Sequence, residues 1–130
     1  MFCLLFLVKE SFFMKEKPKD YARLQHIKEA ISEIEKYTAG ISIEDFRFDS
    51  KTRFASIKQL EIIGEAVYHL TSQLKEKHAE VSWDVISALR HTLVHEYYGI
   101  EPDIIFRIIS VHLPVFKMQI EEIINEQNIS

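Results

Sequence analysis

Ser82-Trp-Asp-Val-Ile-Ser-Ala-Leu-Arg-His-Thr-Leu-Val-His-Glu-Tyr-Tyr-Gly99 has both ends of a helix marked and a charge in the wrong place between them. Ser82 suits an N-cap, because its hydroxyl can accept from a free N–H of the first turn. Asp84 sets negative charge at the positive end of the helix dipole. Gly99 can supply a left-handed residue after the last turn. At about 100° per residue, Trp83, Ile86, Leu89, Leu93, Val94 and Tyr97 share one broad apolar face. Arg90 falls inside that face. A guanidinium keeps its charge, so Arg90 calls for a carboxylate, a phosphate or a cleft. His95 lies roughly 140° around an ideal helix from Arg90. The two can act together only through a distorted last turn, a bridging ligand or a second copy of the helix.

Working outward, the rest of the chain reads as helix. From Pro18 to Gly40, Leu24, Ile27, Ile31 and Ile34 recur at spacings of three and four. Ser42 to Asp45 resembles a capping box and opens one short turn in the connector 41–49. Asp49 or Ser50 caps a second long helix, with a stripe of Phe54, Ile57, Leu60, Ile63, Val67, Leu70 and Leu74. Gly64 interrupts that stripe at a cost of about 1 kcal/mol relative to Ala, which predicts close approach of another helix there. A fourth helix runs from about Pro102 to Asn125 and includes Ile104, Ile105, Val115 and Phe116. Pro114 removes the partner of the Ser110 carbonyl, so a kink is expected. Strand signals are absent. The fold expected is all-α, an up-and-down four-helix bundle with a short extra turn between helices 1 and 2.

A chain of 130 residues, 47% hydrophobic and 28% charged, suits a single core. The net charge of −4 argues against broad salt-driven binding to nucleic acid but leaves room for a local phosphate site. A single cysteine, Cys3, excludes an internal disulfide framework and a cysteine-based zinc site, as in a cytoplasmic protein. Residues 1–13 are an apolar extension, too short to span a bilayer and lacking the basic front of a signal peptide. They read best as an upstream start-site assignment, with the helical domain at 14–130. No membrane role is expected.

Arg90, His95 and Tyr97 form an R-x4-H-x-Y pattern. With Leu60-Glu61-Ile62-Ile63-Gly64-Glu65-Ala66 upstream, Val94 to Gly99 around the motif and Leu113-Pro114 beyond, the chain resembles the HepT-like toxins of the HEPN superfamily, small helical RNases. The family often has Asn after the motif Arg; here His91 stands there.

The resemblance implies the toxin of a toxin–antitoxin system, a metal-independent endoribonuclease with its site in a homodimer cleft. His95 would handle protons, as a side chain that titrates near neutrality can, and Arg90 would stabilise phosphate charge. Tyr97 would accept AMP from a partner nucleotidyltransferase antitoxin. Glu65 is the best carboxylate partner for Arg90, and His91 a supporting residue. His91 and His95 have possible metal spacing, but no third ligand is evident, so neither metal nor cofactor is expected. The bland readings are an Arg90–Glu65 structural pair, a surface His95 and a core Tyr97. The alternative function is a non-catalytic helical module that binds a nucleotidyltransferase.

Overall fold

In a computed structural model, residues 20–129 are described, and every regular element among them is helical. The expectations for residues 1–13 and for a start at Pro18 fall outside the described residues. The elements are α1 (Asp20–Thr38), α2 (Ile43–Phe48), α3 (Ser50–Tyr68), α4 (Ser72–Lys77), α5 (Trp83–Glu96), α6 (Pro102–Arg107), a π-helical turn (Ile108–His112) and α7 (Leu113–Ile129). Because α6, the π turn and α7 are continuous, the bundle has four long helical runs, with α2 and α4 as short helices in the links.

The apolar stripes account for the packing. Leu24, Ile27, Ile31 and Ile34 of α1 are buried against Ile57, Leu60, Ile63 and Val67 of α3. α1 also packs on α7, and α5 packs on α3. Phe46 of α2 is fully buried and meets Phe106 of α6, with ring centroids 5.3 Å apart. Gly40 carries φ +71° and turns the chain after α1, a conformation that only glycine adopts at little cost. Asp49 caps α3 by accepting from the Thr52 N–H at 3.0 Å.

Several local expectations are corrected. The second helix stops at Tyr68, and Leu74 belongs to α4. Thr71 starts this new helix, its hydroxyl accepting from the Leu74 N–H at 3.3 Å. The Thr71 N–H in turn donates to Asp20 at 2.9 Å, which anchors the break to the start of α1. Ser82 makes no side-chain cap bond; the entry to α5 is fixed instead by the Trp83 indole, which donates to the His78 carbonyl at 2.9 Å. Gly99 is not left-handed, Gly40 being the described glycine with positive φ. α5 ends at Glu96, and the Gly99 N–H returns to the Glu96 carbonyl at 2.8 Å.

The irregularity expected from Pro114 takes the form of the π turn just ahead of it, closed by the Leu113 N–H on the Ile108 carbonyl. A single widened turn is a common way for a helix to absorb a local defect in its hydrogen-bond ladder. Finally, Phe54, Ile104 and Val115 leave the core and are exposed.

Candidate active site

The site is built where α3 and α5 cross. Gly64 makes the crossing close. A Cβ placed there would stand 2.7 Å from the Arg90 Cβ and 3.1 Å from the Ile86 carbonyl oxygen. The helix-weakening glycine of the sequence is therefore the residue that seats Arg90 against α3.

Once seated, Arg90 is held on two sides. Its Nη1 donates to Glu65 Oε2 at 2.6 Å, and its guanidinium lies over the Tyr68 ring, 5.6 Å from the centroid. The other oxygen of Glu65 meets His69 Nε2 at 3.0 Å. Glu65 thus bridges Arg90 and His69. The Arg90 Nε is buried without a hydrogen-bond partner among the described residues, and Nη2 makes no protein hydrogen bond there. The Arg90 and Glu65 side chains are 37% and 49% exposed, and a pair so exposed contributes only about 0–1 kcal/mol. Stability alone does not explain an arginine placed inside an apolar helix face.

One stripe of α3 touches both Arg90 of α5 and Tyr97 just past the end of that helix. Phe54, Lys58, Glu61, Glu65 and Tyr68 follow one another at helical spacing. Arg90 rests at the Glu65–Tyr68 end. At the other end Tyr97 meets the edge of Phe54 at 5.9 Å and lies beside Tyr98 at 4.3 Å. Hydrogen bonding to Tyr98, partial burial and the nearby charges of Tyr98 and Glu61 hold the Tyr97 hydroxyl above its usual pKa. Tyr97 is 38% exposed and Tyr98 81%, so Tyr97 is neither plain core nor freely solvated.

His95 is on the other side of α5. It is exposed and stacked near His91, ring centroids 4.5 Å apart. Within one chain Arg90 and His95 face different directions, as their spacing predicts. Among the described residues no cluster of three or more His, Cys, Asp or Glu has metal-holding geometry.

Among the hollows beside α5, two lie on its long sides. A cleft of about 380 Å³ between α1, α3 and α5 is lined by Arg23, His26, Lys58, Glu61, Glu65 and Arg90, among others. A larger apolar groove of about 770 Å³ runs between α5 and the α6–α7 rod, with Val85, Ala88, Leu89, Thr92, Val115 and Phe116 in its walls. Among the described residues no helix is long and apolar enough to cross a membrane.

Tyr68, His69 and Phe54 were not singled out as site residues by sequence reasoning. The Glu65-x3-His69 spacing was available as a signal, since residues four apart share a helix face. The exposure of Phe54 was not, because it fits the apolar stripe of α3.

Comparison with known proteins gives a match to the family described as "Ribonuclease HepT-like" over residues 27–123. A protein named "Probable ribonuclease HepT" from Thermococcus cleftensis is 38% identical over 85% of this chain and 98% of its own length. A protein of Caldanaerobacter subterraneus subsp. tengcongensis, named as a candidate RNase, is 37% identical over 85% of this chain and 96% of its own. A similarly named protein of Methanocaldococcus jannaschii is 37% identical over 81% and 87%. No solved structure matches significantly.

Proposed function

The chain belongs to the HepT-like ribonuclease family, and from that premise we propose that it is an RNA endonuclease, the toxin of a toxin–antitoxin pair. The observation that carries the proposal is the state of Arg90. It is clamped by Glu65 and stacked on Tyr68, yet keeps a terminal nitrogen free of hydrogen bonds to any described residue, beside an open cleft. An arginine fixed by one carboxylate can still offer donors to a phosphate.

In the proposed reaction the ribose 2′-hydroxyl attacks the adjacent phosphorus, and the 5′-oxygen of the next nucleotide leaves. His95 takes the proton of the nucleophile or returns one to the leaving oxygen. Arg90 stabilises the charge that grows on the non-bridging oxygens. The two roles are filled by a homodimer in which the His95 face of α5 meets the Arg90 edge of a second copy. The exposed Val85 and Val115 of the α5–α7 groove supply apolar surface for such pairing.

Control is proposed to run through Tyr97. A nucleotidyltransferase antitoxin transfers AMP to its hydroxyl, which adds bulk and negative charge on the edge of α5 that also carries Arg90.

Purified protein incubated with RNA in the presence of chelator tests the catalysis. Cleavage should persist and should vanish in His95→Ala with the fold intact by circular dichroism. Inert RNA, together with tight binding to a nucleotidyltransferase, would replace the enzyme by a non-catalytic binding module. For the control step, Tyr97→Phe keeps the ring contact with Phe54 and removes the acceptor oxygen. Intact mass after treatment with the partner, ATP and magnesium should show added AMP on wild type and on Tyr98→Phe, and none on Tyr97→Phe. AMP mapped to Tyr98 would overturn that assignment.

A further inference from the structure

The cleft between α1, α3 and α5 has a charge opposite to that of the molecule. The chain as a whole carries −4. In the cleft, Arg23, Lys58 and Arg90 face Glu61 and Glu65, with His26 beside them. The two carboxylates are already engaged: Glu65 by Arg90 and His69, and Glu61 by Lys58 at 3.5 Å. The Lys58 side chain is 70% exposed at that distance, so the pairing is loose and solvent-facing. Arg23 and His26 make no hydrogen bond or ion pair with any described residue. An arginine lining a concave surface with no partner among the described residues has donors available for an external anion.

The second feature is aromatic. Tyr68 lies just outside the lining of the cleft, against Arg90, and is 59% exposed. Arg90 covers one part of its ring at 5.6 Å, and the His69 ring meets it edge-on at 5.1 Å. Cations that follow a phosphate backbone, combined with an exposed ring on which a base can stack, are the combination that single-stranded nucleic acid requires.

We propose that this cleft is a binding groove for a single-stranded RNA segment flanking the scissile phosphate. Arg23 and Lys58 hold phosphates beyond the one at Arg90, and the base next to the cut stacks on Tyr68. The proposal rests on the ribonuclease reading for its orientation, but it is a statement about binding and can be tested apart from cleavage. It also reconciles an acidic protein with a polyanionic substrate, since the cleft that meets RNA carries the charge opposite to that of the chain as a whole.

The test uses the full chain carrying His95→Ala, so that RNA survives, and a fluorescent single-stranded RNA of about ten nucleotides. Anisotropy titrations over a range of salt give affinity and its salt slope. Each phosphate contact contributes about 0.7 to that slope for single strands. Arg23→Ala and Lys58→Ala should each weaken binding several-fold and lower the slope by about 0.7. Tyr68→Leu should weaken binding on the order of ten-fold while leaving the slope unchanged. Lys77→Ala, outside this cleft, serves as the control and should leave both unchanged.

In the active protein, Arg23→Ala should raise KM with kcat retained. Wild-type cleavage that is indifferent to Arg23→Ala and Lys58→Ala, in KM and in salt slope, overturns the groove and leaves the nuclease standing. Loss of binding in these variants with no cleavage by wild type supports the groove and removes the nuclease. Duplex RNA bound as tightly as single strand, with Tyr68→Leu without effect, overturns the stacking role.

Discussion

Two arginines of this protein pair with carboxylates across helices, and they differ in what they leave over. Arg47 of α2 reaches Asp103 of α6 with both arms of a fork, Nε to Oδ1 at 2.8 Å and Nη2 to Oδ2 at 2.7 Å. Arg90 of α5 reaches Glu65 of α3 through Nη1 alone, at 2.6 Å. Exposure does not separate them: the side chains are 43% and 50% exposed in the first pair, 37% and 49% in the second. The first pair uses the carboxylate completely and closes on itself. The second shares its carboxylate with His69, stacks on Tyr68 and opens onto a cleft. Arg47 engages both carboxylate oxygens with its Nε–Nη2 edge and clamps two helices together. Arg90 engages one oxygen through Nη1 and keeps its Nε–Nη2 edge unbonded among the described residues, a guanidinium held in place beside an open cleft.

The largest expected effect exploits that difference. Arg90→Lys keeps the positive charge but loses the planar fork and the stacking on Tyr68. Cleavage of RNA should fall by about 10²–10³-fold, the usual loss when one transition-state donor is removed. Arg47→Lys, the same change at the closed pair, should leave cleavage unchanged. Single-turnover rates on the two variants decide the matter. Equal losses, or none in Arg90→Lys, would break the comparison.

The sequence made the open pair partly legible. Arg90 stood out because a charge inside an apolar stripe must be accounted for, and Glu65 was the carboxylate within reach on the helix ahead. Gly64 announced the crossing, because a glycine in mid-helix is costly and needs a return. What the sequence hid was everything that depends on where helices end. The stop of α3 after Tyr68 is tied to Asp20 through Thr71, some fifty residues apart in the chain, and Tyr68 and His69 lie at that end, three and four residues beyond Glu65 on the same helix face. Phe54 reads as core by its spacing. It is drawn out by Tyr97 and Tyr98, which lie beyond the end of α5. The Arg47–Asp103 clamp left no local trace either, since it joins two helices of six residues each.

The next effect lies at Gly64. Alanine is the better helix former by about 1 kcal/mol, but its methyl would collide with the Arg90 Cβ and crowd the Ile86 carbonyl. Overpacking of this kind costs about 1–3 kcal/mol, so Gly64→Ala should be destabilising on balance in urea denaturation. It should also lower cleavage under conditions where the variant remains folded, because the displaced backbone carries Arg90 away from Glu65. Gly99→Ala is the matched control. A Cβ there meets only the Glu96 carbonyl at 3.6 Å, and φ is not positive, so that variant should fold as well as wild type. A neutral or stabilising Gly64→Ala would mean that α5 can shift without disturbing Arg90, and the open pair would then be less tightly placed than its geometry implies.

The smallest effect belongs to the closed pair and concerns acid. Hydrogen bonding to Arg47, helped by the arginine's charge, holds the Asp103 carboxyl below its ordinary value of 3.8. A carboxylate with a depressed pKa in the folded state contributes stability that is present above its unfolded pKa and lost as pH falls through the folded value. Arg47→Met removes the partner and keeps much of the apolar stem. Its melting temperature should therefore lie slightly below wild type near pH 7, by less than for Gly64→Ala, since exposed pairs contribute little. That gap should stay constant down to about pH 5 and shrink as pH falls below the ordinary carboxylate value of 3.8 and on through the lowered folded value of Asp103. Taking the difference between wild type and variant removes the parallel acid response of Asp49, whose carboxylate is held low chiefly by hydrogen bonds from Thr52. The same scan at high salt should narrow the gap, because exposed charges are screened. A gap independent of pH would assign the loss to packing of the Arg47 stem rather than to the charge, and the closed pair would then be no electrostatic clamp at all.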